Sequence, residues 1–183
     1  GAICYSVNEQ LVHGPPNDRP LREGDIVSID LGATYEGWVS DAAFTAPVGD
    51  VSQEALDLIR VTREALWCGI EAARVGNHLG DVSYAIGEHS DGYGIIEDYG
   101  GHGVGREMHE QPHIQNMGRR GSGMPLRKGM VLALEPMLAM GHPATEELDD
   151  QWTVVMRDGS LAAHWEETIA ITDEGPEVLT RID

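Results

Sequence analysis

The sequence is short of positive charge. Twelve lysines and arginines stand against 31 acidic residues, a formal net charge of −19 at pH 7. Nucleic acid and anionic membranes both need a cationic face, so neither is expected as a partner. Lys128 is the only lysine, a bias that nothing in the sequence explains. Cysteine is as scarce: Cys4 and Cys68 are too few for a disulfide framework or a zinc ribbon, and the expected compartment is a reducing cytoplasm. No apolar run reaches the roughly 18 residues of a membrane span and no signal peptide is visible, so a soluble chain is expected; a monomer is the default expectation. An initiator Met is missing too. The chain starts in strand-like alternation at Gly1-Ala-Ile-Cys-Tyr-Ser-Val, so a fragment or processed form is expected. Its 183 residues suffice for one domain with its own core, and no break in composition divides them.

What the sequence does have is a repeat. Pro20-Leu-Arg-Glu-Gly-Asp-Ile-Val-Ser-Ile-Asp30 returns as Pro125-Leu-Arg-Lys-Gly-Met-Val-Leu-Ala-Leu-Glu135. Each copy is a Gly turn followed by an aliphatic strand that ends on a carboxylate. An unpaired buried carboxylate costs several kcal/mol, so two such strand ends point to a cation held between duplicated halves.

Along the chain, residues 3–12 alternate as a strand that stops at His13, either a turn histidine or an acid/base group. A strand from Asp25 to Leu31, a turn region from Gly32 to Gly37 and a return strand through Phe44 form a hairpin. A turn centred on Tyr35-Glu36 would set Asp30 directly opposite Asp41, where like charges repel unless a hard divalent ion lies between them. Ser52 to Arg74 reads as a helix capped by Ser52 and stopped by Gly76, with Leu56, Ile59, Leu66, Ile70 and Ala73 inward. A shorter helix spans Leu79 to His89 with Val82 and Ile86 inward. Cys68, His78 and His89 are expected to have only packing or surface roles.

Glycines flank His102 in Gly100-Gly-His-Gly-Val-Gly105, which would let backbone and ligand approach it closely. The loop lacks the Lys and Ser/Thr of a phosphate loop. His109 lies seven residues on. Pro136 forces Glu135 to be extended, at a strand end. Residues 141–151 read as a polar connection. Trp152 to Met156 and Ala162 to Thr172 read as two strands of a hairpin turning at residues 157–160, with Glu166 and Glu167 on opposite faces. Strand position does not choose between the two glutamates.

These segments together resemble the type I methionine aminopeptidases, whose pita-bread fold is shared with prolidase and creatinase. The resemblance covers nearly the whole chain. It rests on Ser6-Val-Asn-Glu-Gln-Leu-Val-His13-Gly, Gly24-Asp-Ile-Val-Ser-Ile-Asp30, Gly101-His102-Gly-Val-Gly, His109-Glu-Gln-Pro, Leu134-Glu135-Pro and Trp165-Glu166-Glu-Thr-Ile, in order and spacing. It implies an α+β fold of two pseudo-symmetric halves, a curved and mostly antiparallel sheet covered by helices, and a single catalytic metallopeptidase domain over residues 1–183. It implies a hydrolase that removes N-terminal Met from nascent chains and peptides when the second residue is small. Asp30, Asp41, His102, Glu135 and Glu166 match the ligands of two divalent ions (Co, Mn, Fe, Zn or Ni). His13 and His109 match substrate-contacting histidines, and Glu135 would also move a proton. Cys4, Met108 and Trp152 match the lining of a methionine pocket. Against the family pattern, a segment is expected before the Ser6-Val-Asn stretch, and Glu107 stands where a small residue is usual. The interval from Glu135 to Glu166 leaves no room for the type II insertion. The competing classes are a proline-specific peptidase, which carries Arg or Ile where this chain has His164-Trp165, and a binding protein that has lost catalysis.

Overall fold

The computed structural model describes residues 3–181. In chain order the strands and helices are β1 (Cys4–Val7), β2 (Gln10–Val12), β3 (Ile26–Tyr35), β4 (Trp38–Pro47), α1 (Gln53–Ala72), α2 (Leu79–His89), β5 (Gly94–Ile95), β6 (Gly101–Gly103) and β7 (Glu110–Ile114). They continue as β8 (Val131–Leu134), β9 (Met137–Ala139), β10 (Thr145–Glu147), β11 (Val154–Met156), β12 (Ala162–His164), β13 (Glu166–Ile171) and β14 (Pro176–Val178).

The main sheet is antiparallel and runs β1-β3-β4-β13-β8-β6-β7, with β14 added on β13. The two repeat copies form β3 and β8, which flank the central pair β4-β13 from either side. The repeat is therefore a pseudo-symmetry of the sheet, and its four inner strands each deliver one carboxylate. Two threonines staple the central strands. Thr168 Oγ1 accepts from the Asp41 N–H at 2.9 Å and donates to the Asp41 carbonyl at 2.8 Å. Thr45 Oγ1 lies 2.9 Å from both the N–H and the carbonyl of His164. Each clamp ties residues more than a hundred positions apart.

Helices α1 and α2 cover one side of this sheet. Leu66, Ile70, Val82 and Ile86 pack on Leu132, Leu134, Ile169 and Ile171, a continuous apolar core. Ser52 caps α1 by accepting from the Ala55 N–H at 3.2 Å. The side of α1 that faces inward is Ala55, Leu58, Thr62, Ala65, Leu66, Gly69 and Ile70; Leu56, expected inside, is exposed. The helix ends at Ala72, and Gly76, expected as the stop, takes its left-handed conformation four residues later. The bounds of α2 and the inward Val82 and Ile86 are as expected. His78 is the N-cap residue of α2, where its N–H donates to Asp81, and His89 meets Glu64 at the surface.

Other expectations are corrected. The first strand is two, because Asn8 adopts φ 58° and turns its amide to Asp25 (2.8 Å) and to the Ile26 N–H (3.0 Å). The polar 141–151 connection contains β10, which pairs with β11. The strands on either side of residues 157–160 are not a hairpin: β11 joins β10 and β2, whereas β12 joins β9. The expected strand from Ala162 to Thr172 divides at Trp165, so that β12 and β13 lie in different sheets. Among the described residues, no helix is long and apolar enough to cross a membrane.

Candidate metal centre and substrate cavity

The β3-β4 hairpin turns at Glu36-Gly37, both at positive φ (50° and 76°), with Tyr35 facing Trp38. Two left-handed residues make the tight turn that matches strand twist, and glycine takes the second position without steric cost. The register follows from this turn. Asp30 faces Ala43, and Asp41 faces Gly32, so the two acids are diagonal neighbours instead of the directly opposed pair expected from sequence. The difference is an even number of residues, so both side chains remain on the same face. Glu166 on β13 faces Ala43 and joins them on that face. Glu167 points away and accepts a hydrogen bond from the Thr180 hydroxyl.

His102 is the middle residue of β6. Its Nδ1 lies 3.0 Å from the Gly103 carbonyl, which can only accept, so Nδ1 carries a proton and, in the neutral ring, Nε2 presents a lone pair. That Nε2 faces Glu135 Oε1 at 3.5 Å, Asp41 Oδ2 at 3.9 Å and Glu166 Oε1 at 4.0 Å. A lone pair turned toward three carboxylates is repulsive unless a cation lies among them. At 3.9 and 4.0 Å two of these separations are beyond hydrogen-bond reach, and all three fit ligands that share one ion at about 2 Å each. Glu166 Oε1 is buried with no partner, the orphan such a cation would satisfy. The flanking glycines serve the sheet more than a ligand: a Cβ on Gly101 would stand 2.4 Å from the Ala133 carbonyl oxygen, and one on Gly103 2.3 Å from that of Gln111.

The electrostatics agree with the geometry. Burial, then Asp30 beside it, raises the Asp41 pKa from 3.8 to about 6. Burial raises Asp30 also, and Glu166 is pushed well above the usual carboxylate range by burial and then by Glu135, Asp41 and Asp30. Crowded buried acids of this kind are ionised together only when a compensating charge is present.

Glu135 follows β8, with its carbonyl accepting from Asn116 Nδ2 at 3.1 Å. His13 ends β2 in a left-handed conformation (φ 61°), and its ring meets Tyr99 edge-on. His109 packs T-shaped on His102, 4.5 Å between ring centroids, and its pKa is lowered by burial and then by His102. His13, Asp30, Asp41 and His109 border two cavities. One, of about 670 Å³, contains His102, Glu135 and Glu166; the other, of about 600 Å³, is lined by Cys4, Met108 and Trp152. All the residues singled out from the sequence thus meet at one place. Met108 folds over Gly32, where a Cβ would stand 2.2 Å from its terminal methyl. Trp152 is 67% exposed and forms a rim more than a wall. Burial raises the Cys4 thiol pKa, followed by the charges of Asp30 and Asp41.

One residue at the centre was missed. His164 is buried at the metal-side cavity with Nε2 3.4 Å from Glu135 Oε2, and one ligand atom each from Glu135, His164 and Glu166 lies within 4.8 Å of the others. The same holds for Asp41, His102 and Glu166. The available signal was its position two residues before Glu166.

A centre of carboxylates and imidazoles, on the face of a pseudo-symmetric antiparallel sheet beside a substrate-sized cavity, defines a metallohydrolase of the pita-bread fold. The match of metallopeptidase family M24 to residues 1–173 makes the assignment specific: the chain belongs to that family. It is 51% identical over 182 residues to a methionine aminopeptidase of Clostridium acetobutylicum, covering 98% of this chain and 73% of the relative. The crystal structure of a methionine aminopeptidase from Thermotoga maritima superposes with a TM-score of 0.97 at 49% identity, over 98% of this chain and 74% of that one. A prolidase from Pyrococcus horikoshii is more distant, with a TM-score of 0.77 and 27% identity over 100% of this chain and 48% of that one.

Proposed function

We infer that the chain is a metal-dependent methionine aminopeptidase that removes the first residue of a peptide when that residue is Met and the second is small. The observation that carries this reading is the convergence of Asp41, His102, Glu135 and Glu166 beside a recess lined by Cys4, Met108 and Trp152, in a chain half identical to a methionine aminopeptidase.

Asp30, Asp41, His102, Glu135 and Glu166 would hold two divalent ions, whose charge balances four carboxylates. When bound, the ions supply Lewis acidity and make a water acidic enough to attack near pH 7. The protein's own groups do the rest. A free amine is received at the carboxylate cluster, so a peptide enters only by its first residue. Glu135 takes the proton of the attacking water and passes it to the leaving amine. His109, held below the ordinary histidine pKa, is neutral at pH 7 and donates to the oxygen on which negative charge develops. His13 holds the peptide amide. The thioether is apolar and polarisable and lies among Cys4, Met108 and Trp152, where the Met108 sulfur and an aromatic face suit it. A second side chain has to pass between His13 and the rim, which favours small residues.

The test is product release from three peptides by metal-loaded protein. Met freed from Met-Ala-Ser, with little cleavage of Leu-Ala-Ser or Ala-Pro, is expected. Preferential cleavage before proline would assign the proline-specific activity instead, and no cleavage of any peptide would leave only a binding protein.

A further inference from the structure

His164 has no part in the reading above, yet its surroundings ask for one. The residue is 1% exposed, and neither ring nitrogen has a hydrogen-bond partner. The backbone cannot move the ring away, because Thr45 Oγ1 clamps both the N–H and the carbonyl of His164. A further hydrogen bond, 2.8 Å between Ser28 Oγ and Thr45 Oγ1, holds that threonine. Nε2 faces Glu135 Oε2 at 3.4 Å, while the other oxygen of the same carboxylate, Oε1, faces His102 at 3.5 Å. The two oxygens of Glu135 thus each face a different imidazole.

We propose that His164 is a positioning residue of the metal centre: it donates Nε2–H to Glu135 Oε2 and so aims Oε1 at the ion. The proposal rests on the metal-centre reading given above. The alternative, in which Nε2 is itself a ligand, requires the proton on Nδ1. That would leave a buried N–H with no acceptor, whereas the donor arrangement leaves only a lone pair unpaired, the rarer of the two defects being the orphaned donor. Carboxylate ligands are generally held by such outer hydrogen bonds, which fix their orientation and basicity. The same bond would restrain Glu135 as it accepts and returns a proton. Asn116, through the Glu135 carbonyl, fixes the main chain of this residue, and His164 fixes its side chain.

The experiment is calorimetric titration of metal-free protein with Mn(II), for wild type, His164→Leu and His164→Gln, with Co(II) absorption spectra of the same proteins. Melting of the metal-free forms establishes that each is folded; should His164→Leu not fold, His164→Met replaces it. His164→Leu is expected to weaken binding by about ten- to a hundredfold, while His164→Gln, which keeps an N–H at similar reach, stays within about threefold with unshifted Co(II) bands. Binding by His164→Leu as tight as wild type overturns the proposal. Loss in His164→Gln as large as in His164→Leu overturns it also, and Co(II) bands displaced in both would then make His164 a direct ligand. Wild type that takes up no Mn(II) would instead fail the metal-centre reading itself, and this proposal with it.

Discussion

At the scale of single residues, the centre turns on carboxylates that the fold crowds together. Asp41→Asn removes ligand charge at nearly constant volume, so it should lower kcat/KM for Met-Ala-Ser by at least about a hundredfold while the melting temperature of the metal-free protein holds or rises. Glu167→Gln keeps an acceptor for Thr180 and should leave both nearly unchanged. Equal losses in the two would mean that β13 presents its other face. The raised pKa of Asp41 has a sign that can be tested in EDTA. An acid raised from 3.8 to about 6 on folding costs nothing well below pH 3.8, where it is protonated in both states; the cost grows as pH climbs from there to about 6 and is constant above, reaching at most roughly 3 kcal/mol. The stability difference between Asp41→Asn and wild type should therefore grow across that window in favour of the variant, as read by urea unfolding at pH 4, 5, 6 and 7; a flat difference would contradict the pKa shift. Asp30 and Glu135 were legible as candidate ligands because each is an acid where an aliphatic strand should remain apolar, and His102 by its flanking glycines, whereas Glu166 was separated from Glu167 only by the resemblance. His164 was not, because a histidine between Ala163 and Trp165 reads as core, and only the register brings it to Glu135.

At the scale of elements, what holds the centre is the seam between β4 and β13. Thr168→Val strands the buried Asp41 N–H and carbonyl and should cost about 1–3 kcal/mol in unfolding free energy, with a parallel loss of metal affinity. Leu66→Ala opens a cavity beneath α1 and should cost about 2–5 kcal/mol, against less than about 1 kcal/mol for Leu56→Ala at an exposed position. Denaturant midpoints of the pair check which stripe of α1 faces inward; equal effects would contradict it. The helix bounds were legible from Ser52 and from the apolar spacing of α2, whereas Leu56 misled because hydrophobicity does not report which of two adjacent stripes the sheet covers. The hairpin register was misplaced by a turn whose chemistry, a left-handed Glu36 before Gly37, is decided by strand twist. The pairing of β11 with β2 and of β12 with β9 depends on contacts distant in sequence, which alternation alone cannot supply.

At the scale of the whole molecule, a duplicated strand motif builds one sheet in which four neighbouring strands each bring one acid to one point, with His102 from a fifth. The repeat is legible in the amino-acid sequence, and with it the idea of a cation between halves; the cavities beside the centre are not, since they are made by loops and strand ends from separate regions of the chain. Cations taken up by this centre replace the repulsion among buried acids with attraction, so EDTA should lower the melting temperature and Mn(II) or Co(II) should restore it. A single titration couples that binding to chemistry: metal-free protein receives Mn(II) while release of Met from Met-Ala-Ser is followed. A metal-dependent methionine aminopeptidase releases nothing without metal and reaches an activity that saturates at no more than two ions per chain. Release of Met that survives complete chelation, or no release at any metal load, would contradict it.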